Sequence, residues 1–322
     1  MAANSPPGRG WGWVVDTKTP HRTPPTPCPS QEGNCRRRCV TSVKFIFITK
    51  DTKTITTFIR WSRSFLYFRV FRGGCYIIAM PKGFGRPTYR EWETSTGLLS
   101  YRVTLKETDL WIRSQTDLSA LAELALCRSR AIIEQYIAAH SAFQTSFEPV
   151  DAPDDAPRLI REMADAAARV GVGPFAAVAG AIAETVGREL LPYSADLLIE
   201  NGGDIFAASK TPRVFGLYAG NSRLSGKIGL KIAAGQMPCG FCTSSGTVGH
   251  SISFGNADAA AVLANSAALA DACATAVGNK VRQAEDIDGA LQFAASIEGV
   301  QAVVIVLGDQ IGAWGTVELV AI

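Results

Sequence analysis

The feature that most constrains this chain is a break in its chemical character near Met80. Thirteen of the 32 Lys and Arg, but only three of the 29 Asp and Glu, precede that residue. The segment before the break is therefore strongly basic and the remainder mildly acidic, although the whole carries a formal charge of only +3. Four of the eight cysteines (Cys28, Cys35, Cys39 and Cys75) also lie before it. Prolines 24, 25, 27 and 29 crowd Cys28, and Arg36, Arg37 and Arg38 separate Cys35 from Cys39. The stretch around Cys28 has no periodic apolar pattern, and the aromatic-rich runs that follow, Phe45–Ile48 and Phe65–Phe71, are short and studded with Arg. No run is long enough to span a membrane, and the order of a signal peptide is missing.

The expectation is an over-extended start, with residues 1–79 a non-native or disordered extension and a single domain over residues 80–322. Two rivals stand beside it. A basic, aromatic arm suits nucleic acid or an anionic membrane. Cys28, Cys35 and Cys39 would need a fourth ligand at finger spacing to hold zinc, and none follows. Read from Met80, the chain is expected to be cytoplasmic, with no nucleic-acid or membrane partner.

Beyond Met80 the pattern is orderly. Residues 98–105 and 108–114 alternate as paired strands around a turn at Lys106 and Glu107. A helix starts at Asp117, and a second spans 157–170 after an acidic, Pro-containing loop. Pro174 opens an Ala-rich helix over 175–191 that contains Gly180 and Gly187, small residues that let another backbone approach closely. Strands are expected at 195–200, 205–208, 214–219, 227–232, 300–307 and 313–321, and helices at 265–279 and 286–297. Residues 240–250 read as a polar, glycine-rich loop. Consecutive strands mixed with helices favour α+β over a doubly wound parallel sheet.

Four features carry chemistry. Asn201, Gly202, Gly203 and Asp204 form a tight turn whose glycines can take positive φ and present backbone N–H groups to a ligand; an ordinary hairpin turn reads the same way. Thr243, Ser244, Ser245 and Gly246, with Cys242 before them and His250 after, concentrate hydroxyl and backbone donors able to hold phosphate oxygens. No Gly-Lys-Ser/Thr ending makes this a P-loop. Asp271 and Thr275 are four apart on an apolar helix, hence on one face. A buried carboxylate beside a hydroxyl suits Mg²⁺ better than Zn²⁺, and a structural hydrogen bond is the alternative for Asp271. Cys239 and Cys242 have the spacing of a redox pair without its usual strand-to-helix setting, so two reduced thiols are expected. His140 reads as a helix-terminus residue.

These motifs, in this order, resemble the ApbE flavin transferases: Asp271-x-x-x-Thr275, the Gly202-Gly203-Asp204 turn, the Thr243–Gly246 loop, and Gly173-Pro174 before them. The nearer resemblance is to a shorter ApbE-like uncharacterised protein family of bacteria and archaea. It is carried also by Glu107–Leu110, Ala219–Asn221, Leu224–Lys227 and Gly312–Gly315, and every one of these motifs follows Met80. The resemblance implies a T-fold-like α+β domain that uses FAD and Mg²⁺ to transfer FMN to a hydroxyl of a target protein. Asp271 and Thr275 would hold the metal, Asn201–Asp204 and Thr243–Gly246 would surround the pyrophosphate, and His250, the only imidazole near the loop, is the candidate catalytic residue. A Mg²⁺-dependent transferase or hydrolase acting on a flavin nucleotide or other small phosphorylated ligand is the first expectation. A non-catalytic flavin or nucleotide binder, or a different small-molecule enzyme on the same scaffold, are the alternatives.

Overall fold

A computed structural model describes residues 40–46, 56–62, 75–79, 97–246, 254–316 and 318–322. Three strands precede Met80: β1 (Val40–Ile46) and β2 (Thr56–Ser62) pair with each other, and β3 (Cys75–Ala79) stands apart from them. The hairpin expected from alternation is present as β4 (Leu99–Leu105) and β5 (Thr108–Ser114), and Lys106 at its turn has φ of 52°. Helices α1 (Ser119–Ala139), α2 (Ser141–Thr145), α3 (Arg158–Val170) and α4 (Val178–Leu190) follow. Helix α3 ends on Gly171 in the left-handed conformation, where glycine avoids a Cβ clash. A single 3-10 turn, Pro174–Ala177, leads directly into α4.

Strands β6 (Leu197–Asn201), β7 (Asp204–Ala208), β8 (Arg213–Leu217), β9 (Ile228–Ile232), β10 (Cys239–Ser244) and β11 (Ala259–Ala264) come next. Helices α5 (Ala267–Lys280) and α6 (Asp286–Ala295) and strands β12 (Val300–Leu307), β13 (Gln310–Gly315) and β14 (Glu318–Ala321) complete the chain. Eight strands form one antiparallel sheet in the order β13-β12-β11-β10-β7-β6-β5-β4. A smaller sheet has the order β14-β9-β8-β3, with β3 parallel to β8.

The large sheet is covered on both faces. Leu197, Ile199, Phe206, Cys242, Ala260 and Val262 point into a core shared with the helices. Their neighbours Leu198, Ile205, Phe241, Ala261 and Leu263 point the other way, into a core shared with Phe215, Leu217, Leu230 and Ile232 of the small sheet. Phe215 and Phe241 meet there with ring centroids 5.2 Å apart. Each such side chain, fully withdrawn from water, contributes about 1.5–3 kcal/mol. Helices gathered on one face of an antiparallel sheet make the fold α+β, as expected.

Double coverage explains where the sequence reading and the structure part. Strand β11, Ala-Ala-Ala-Val-Leu-Ala, is buried along its whole length; it shows no alternation because neither face meets water. Residues 240–244, expected in a loop, belong to β10, which is hydrogen-bonded on both sides. Residues 313–321 divide between β13 in the large sheet and β14 in the small one. Among the described residues, no single helix is long and apolar enough to cross a membrane.

Asp196 ties the two sheets together. Its Oδ1 accepts bonds from Ser209 Oγ (2.6 Å), the Lys210 N–H (3.1 Å) and Arg213 Nη2 (3.2 Å), where the chain passes from β7 to β8. Partial burial pushes the Asp196 carboxyl up, but these three donors together outweigh it and hold the carboxyl below its ordinary value. A depressed folded-state pKa stabilises the fold above the ordinary carboxylate value of about 4, and that stabilisation disappears as pH falls through the depressed value. Asp196→Asn should therefore cost on the order of 1–2 kcal/mol at neutral pH. Denaturant titrations should show the gap to wild type closing below about pH 4; a gap that persists unchanged into acid would contradict this role.

Candidate functional site

Helix α5 begins where three elements converge. A Cβ on Gly180 of α4 would lie 2.2 Å from the Ala267 carbonyl oxygen, and one on Gly240 of β10 would lie 2.3 Å from the Ala267 Cα. Both neighbours are backbone, so no side chain can move aside, and both positions require glycine. The close approach anticipated for Gly180 is thus an approach to α5. Gly187, one face further along α4, packs on the Phe206 ring.

The first N–H groups of α5 are all satisfied. Glu184 Oε2 accepts from the Ala267 N–H (2.7 Å) and the Ala268 N–H (3.4 Å), and Ser266 Oγ accepts from the Leu269 N–H (3.1 Å). A helix N-terminus often receives a phosphate; this one is already occupied by a carboxylate of its own chain. Asp271, one turn into α5, returns the interaction: its Oδ2 accepts the N–H of Gly180, the third residue of α4, at 2.9 Å. Each helix thus offers a carboxylate to the first turn of the other. Glu184 is also held by Arg188 (2.6 Å), which reaches Glu162 on α3 at 2.6 and 2.8 Å. Burial disfavours the Arg188 charge, but Glu184 and Glu162 more than offset this and raise its pKa.

The Asn201–Asp204 turn joins the same region. Gly202 and Gly203 have φ of 64° and 107°, as a two-residue hairpin turn with both central residues at positive φ requires. Asn201 Nδ2 donates to the Ala179 carbonyl at 3.0 Å, so the turn is bonded to the residue that precedes Gly180. The Gly203 N–H donates to Glu200 Oε1 at 3.0 Å, so that donor is used within the turn. Asp204 is fully buried and pairs across the sheet with Cys242, whose Sγ lies 3.5 Å from the Ala267 carbonyl. Asp204, Cys242 and Ser244 therefore face the helices.

Thr243 points to the opposite face. Its Oγ1 is buried and makes no hydrogen bond, an arrangement that costs about 1–3 kcal/mol unless a ligand or water supplies a partner. Ser244 and Ser245 are buried, and Gly246 is packed on the backbone of Gly255 with its N–H bonded to the Ala257 carbonyl. His250 lies outside the described residues. The run expected to be an open loop is therefore, as far as Gly246, the buried end of a central strand.

Asp271 is almost wholly buried and Thr275, one turn on, is half-buried. Their oxygen donors suit a hard cation. Among the described residues no three His, Cys, Asp or Glu side chains gather as a metal cluster. A cation here would take its remaining ligands from water or from ligand oxygens, as Mg²⁺ commonly does. The residues present fit such a shared site. Lys227 adjoins β9 in the small sheet.

The cysteine pair is not redox-active in this arrangement. Cys239 and Cys242 are three apart on a strand, so their side chains leave opposite faces, and the two cores confirm it. Burial, with a smaller contribution from Glu184, pushes the Cys239 thiol up to about 12; burial alone takes Cys273 to about 12. Both are protonated at neutral pH and poor nucleophiles. His140 terminates α1, stacked on Tyr136 with centroids 4.3 Å apart. Sequence reasoning missed Glu184 altogether. Its only signal was an acidic residue, one of two with Glu189, within an Ala-rich helix, one turn past Gly180.

Removing the Glu184 carboxylate strands two buried N–H groups and one end of Arg188. Glu184→Ala should cost about 2 kcal/mol or more, read as a lower midpoint in urea. Glu162→Gln, nearer the surface, should cost about 1 kcal/mol or less. Equal midpoints for wild type and Glu184→Ala would refute the role assigned to this carboxylate.

Comparison with known proteins places the chain. A family model described as "AbpE bacteria" matches residues 90–313. The UPF0280 protein of Methanocaldococcus jannaschii is 41% identical over 222 residues, covering 67% of this chain and 90% of the relative. That of Methanococcus aeolicus is 40% identical over 226 residues, covering 68% and 91%. Among solved structures, the flavin transferase ApbE from Vibrio cholerae aligns with 10% identity and a TM-score of 0.42, over 68% of this chain and 97% of that one. The ApbE protein from Thermotoga maritima aligns with 11% identity and a TM-score of 0.45, over 66% and 96%. With a family model spanning most of its length and relatives at about 40% identity, the chain belongs to the AbpE bacteria family, together with the UPF0280 proteins.

Proposed function

We propose that this protein is a Mg²⁺-dependent transferase or hydrolase acting on the diphosphate of FAD or a similar flavin nucleotide. The observation that carries this reading is the juxtaposition at the α4–α5 crossing. Asp271 is fixed there by the Gly180 N–H, Thr275 lies half-buried on the same helix face, and the Asn201–Asp204 turn is bonded to Ala179. The motif resemblance to the flavin transferases supplies the chemistry. In that reaction one P–O bond of the dinucleotide breaks and AMP departs. The FMN phosphoryl group forms a new P–O bond to an acceptor hydroxyl, of a target protein or of water, which gives up its proton. Bound Mg²⁺ would neutralise charge on the phosphoryl oxygens.

The protein's own part is positional. Gly180 orients the Asp271 carboxylate, and Asn201 fixes the turn that carries Gly202, Gly203 and Asp204. Within the Thr243–Gly246 run, Ser244 is proposed to supply the hydroxyl, since it lies on the helix-facing side of β10 while Thr243 faces the small sheet. His250 is proposed as the proton acceptor. A second reading, a flavin or nucleotide binder without turnover, draws on the same Gly180–Asp271 bond, since that bond already gives Asp271 a structural use.

Incubation with FAD and Mg²⁺ should release AMP, and EDTA should stop it. Asp271→Ala tests the metal site but also removes a helix contact. Thr275→Val, at a half-buried position, separates the two effects. It should melt like wild type yet lose about tenfold or more in turnover, an effect worth about 1.4 kcal/mol on the barrier. FAD binding without AMP release in any condition would favour the second reading. Full activity in Thr275→Val would overturn the metal assignment.

We also propose that the folding unit begins at Met80. Support comes from the family match, which starts at residue 90, and from the two cores, whose described members run from Leu98 onward. Against this stands β3, which pairs with β8 from before the boundary. The chains 1–322 and 80–322 should melt together; unfolding of the shorter one would move the boundary upstream.

A further inference from the structure

Two phenylalanines are exposed among the described residues, and they touch each other. Phe147 is 60% and Phe254 53% exposed, with ring centroids 5.4 Å apart at 73°. Exposed rings of this size carry an unfavourable contact with water that mutual packing only partly relieves. Their attachments lead to the candidate site. The Phe254 N–H donates to Asn279 Oδ1 at 2.8 Å, and Gly255 packs on the Gly278 carbonyl. Asp271, Thr275 and Asn279 are successive i, i+4 positions, one stripe along α5. The helix rise sets Asn279 about 6 Å beyond Thr275 and about 12 Å beyond Asp271. Phe147 follows Ser146, whose carbonyl oxygen occupies the place of a Gly173 Cβ. Gly173 in turn opens the Pro174–Ala177 turn that leads to Gly180. The two rings are therefore fixed to the two segments that meet at Asp271.

We infer that Phe147 and Phe254, packed edge to face, form a platform with an exposed ring face on which a planar heteroaromatic ring of the dinucleotide stacks, beside the end of α5 that lies beyond Thr275. This rests on the dinucleotide reading above and extends it to a ring-binding subsite. Every base and the flavin ring present a π-face, so the platform accepts either end of FAD, and the choice between them is open to experiment.

The test is titration of wild type, Phe147→Ala/Phe254→Ala and Phe147→Leu/Phe254→Leu with FAD, FMN, ADP and inorganic pyrophosphate, each with Mg²⁺. Melting temperature and sedimentation are measured alongside. Loss of a stacked ring should weaken ring-bearing ligands by about five- to one hundred-fold, with pyrophosphate unchanged. The Leu variant, apolar but without a π-face, should be weakened as well. FMN affected more than ADP assigns the flavin ring; the reverse assigns adenine. If wild type binds FAD and the variants bind it equally, the platform is wrong and the dinucleotide reading stands. If wild type binds pyrophosphate but no ring-bearing nucleotide, or binds nothing, platform and flavin reading fall together. A dimer of wild type that both variants abolish, with nucleotide affinity intact, would assign the rings to self-association and overturn the inference.

Discussion

Helices α4 and α5 hold each other by exchanged carboxylates, and the site depends on that exchange. Glu184 of α4 accepts the first N–H groups of α5, and Asp271 of α5 accepts the Gly180 N–H near the start of α4. A carboxylate at a helix start is favourable twice over, through the hydrogen bond and through the local positive potential. The glycines at 180 and 240 let the backbones approach closely enough for these bonds to form. The geometry leaves Asp271 fixed and Thr275 facing outward on the next turn.

The eight-stranded sheet provides the rigid base. Its helix-facing residues carry α4 and α5, and its other face rests on the small sheet. The Asn201–Asp204 turn and β10 reach the crossing of the two helices from adjacent strands, Asn201 bonded to Ala179 and Gly240 packed on Ala267. The crossing thus brings together residues from four separate parts of the sequence, and no local pattern could have announced their proximity.

Legibility followed solvent exposure. Strand β4 alternates because Ser100, Arg102 and Thr104 face water while Tyr101, Val103 and Leu105 turn inward, and its hairpin with β5 was readable to its turn. The Asn-Gly-Gly-Asp turn was readable because only glycine tolerates its dihedral angles. Asp271 and Thr275 were readable as one helix face. Strands β10 and β11 were not, since burial on both sides erases alternation and leaves composition alone: small, hydroxyl-bearing residues in one and alanines in the other. The partner of Asp271 was unreadable too, because it is a backbone N–H about ninety residues away in sequence, contributed through a glycine. The expected openness of Thr243–Gly246 failed for a related reason. Those polar residues end a central strand, and their hydroxyls are enclosed rather than displayed.

The central claim is that the Asp271–Thr275 face holds a cation shared with a dinucleotide diphosphate. Anomalous diffraction from crystals soaked with Mn²⁺ and FAD tests it most directly. The account predicts a manganese peak within bonding distance of the Thr275 hydroxyl and the Asp271 carboxylate, with a nucleotide phosphate beside it. Nucleotide bound with no metal at that face, or metal bound at another cluster of side chains, would contradict it.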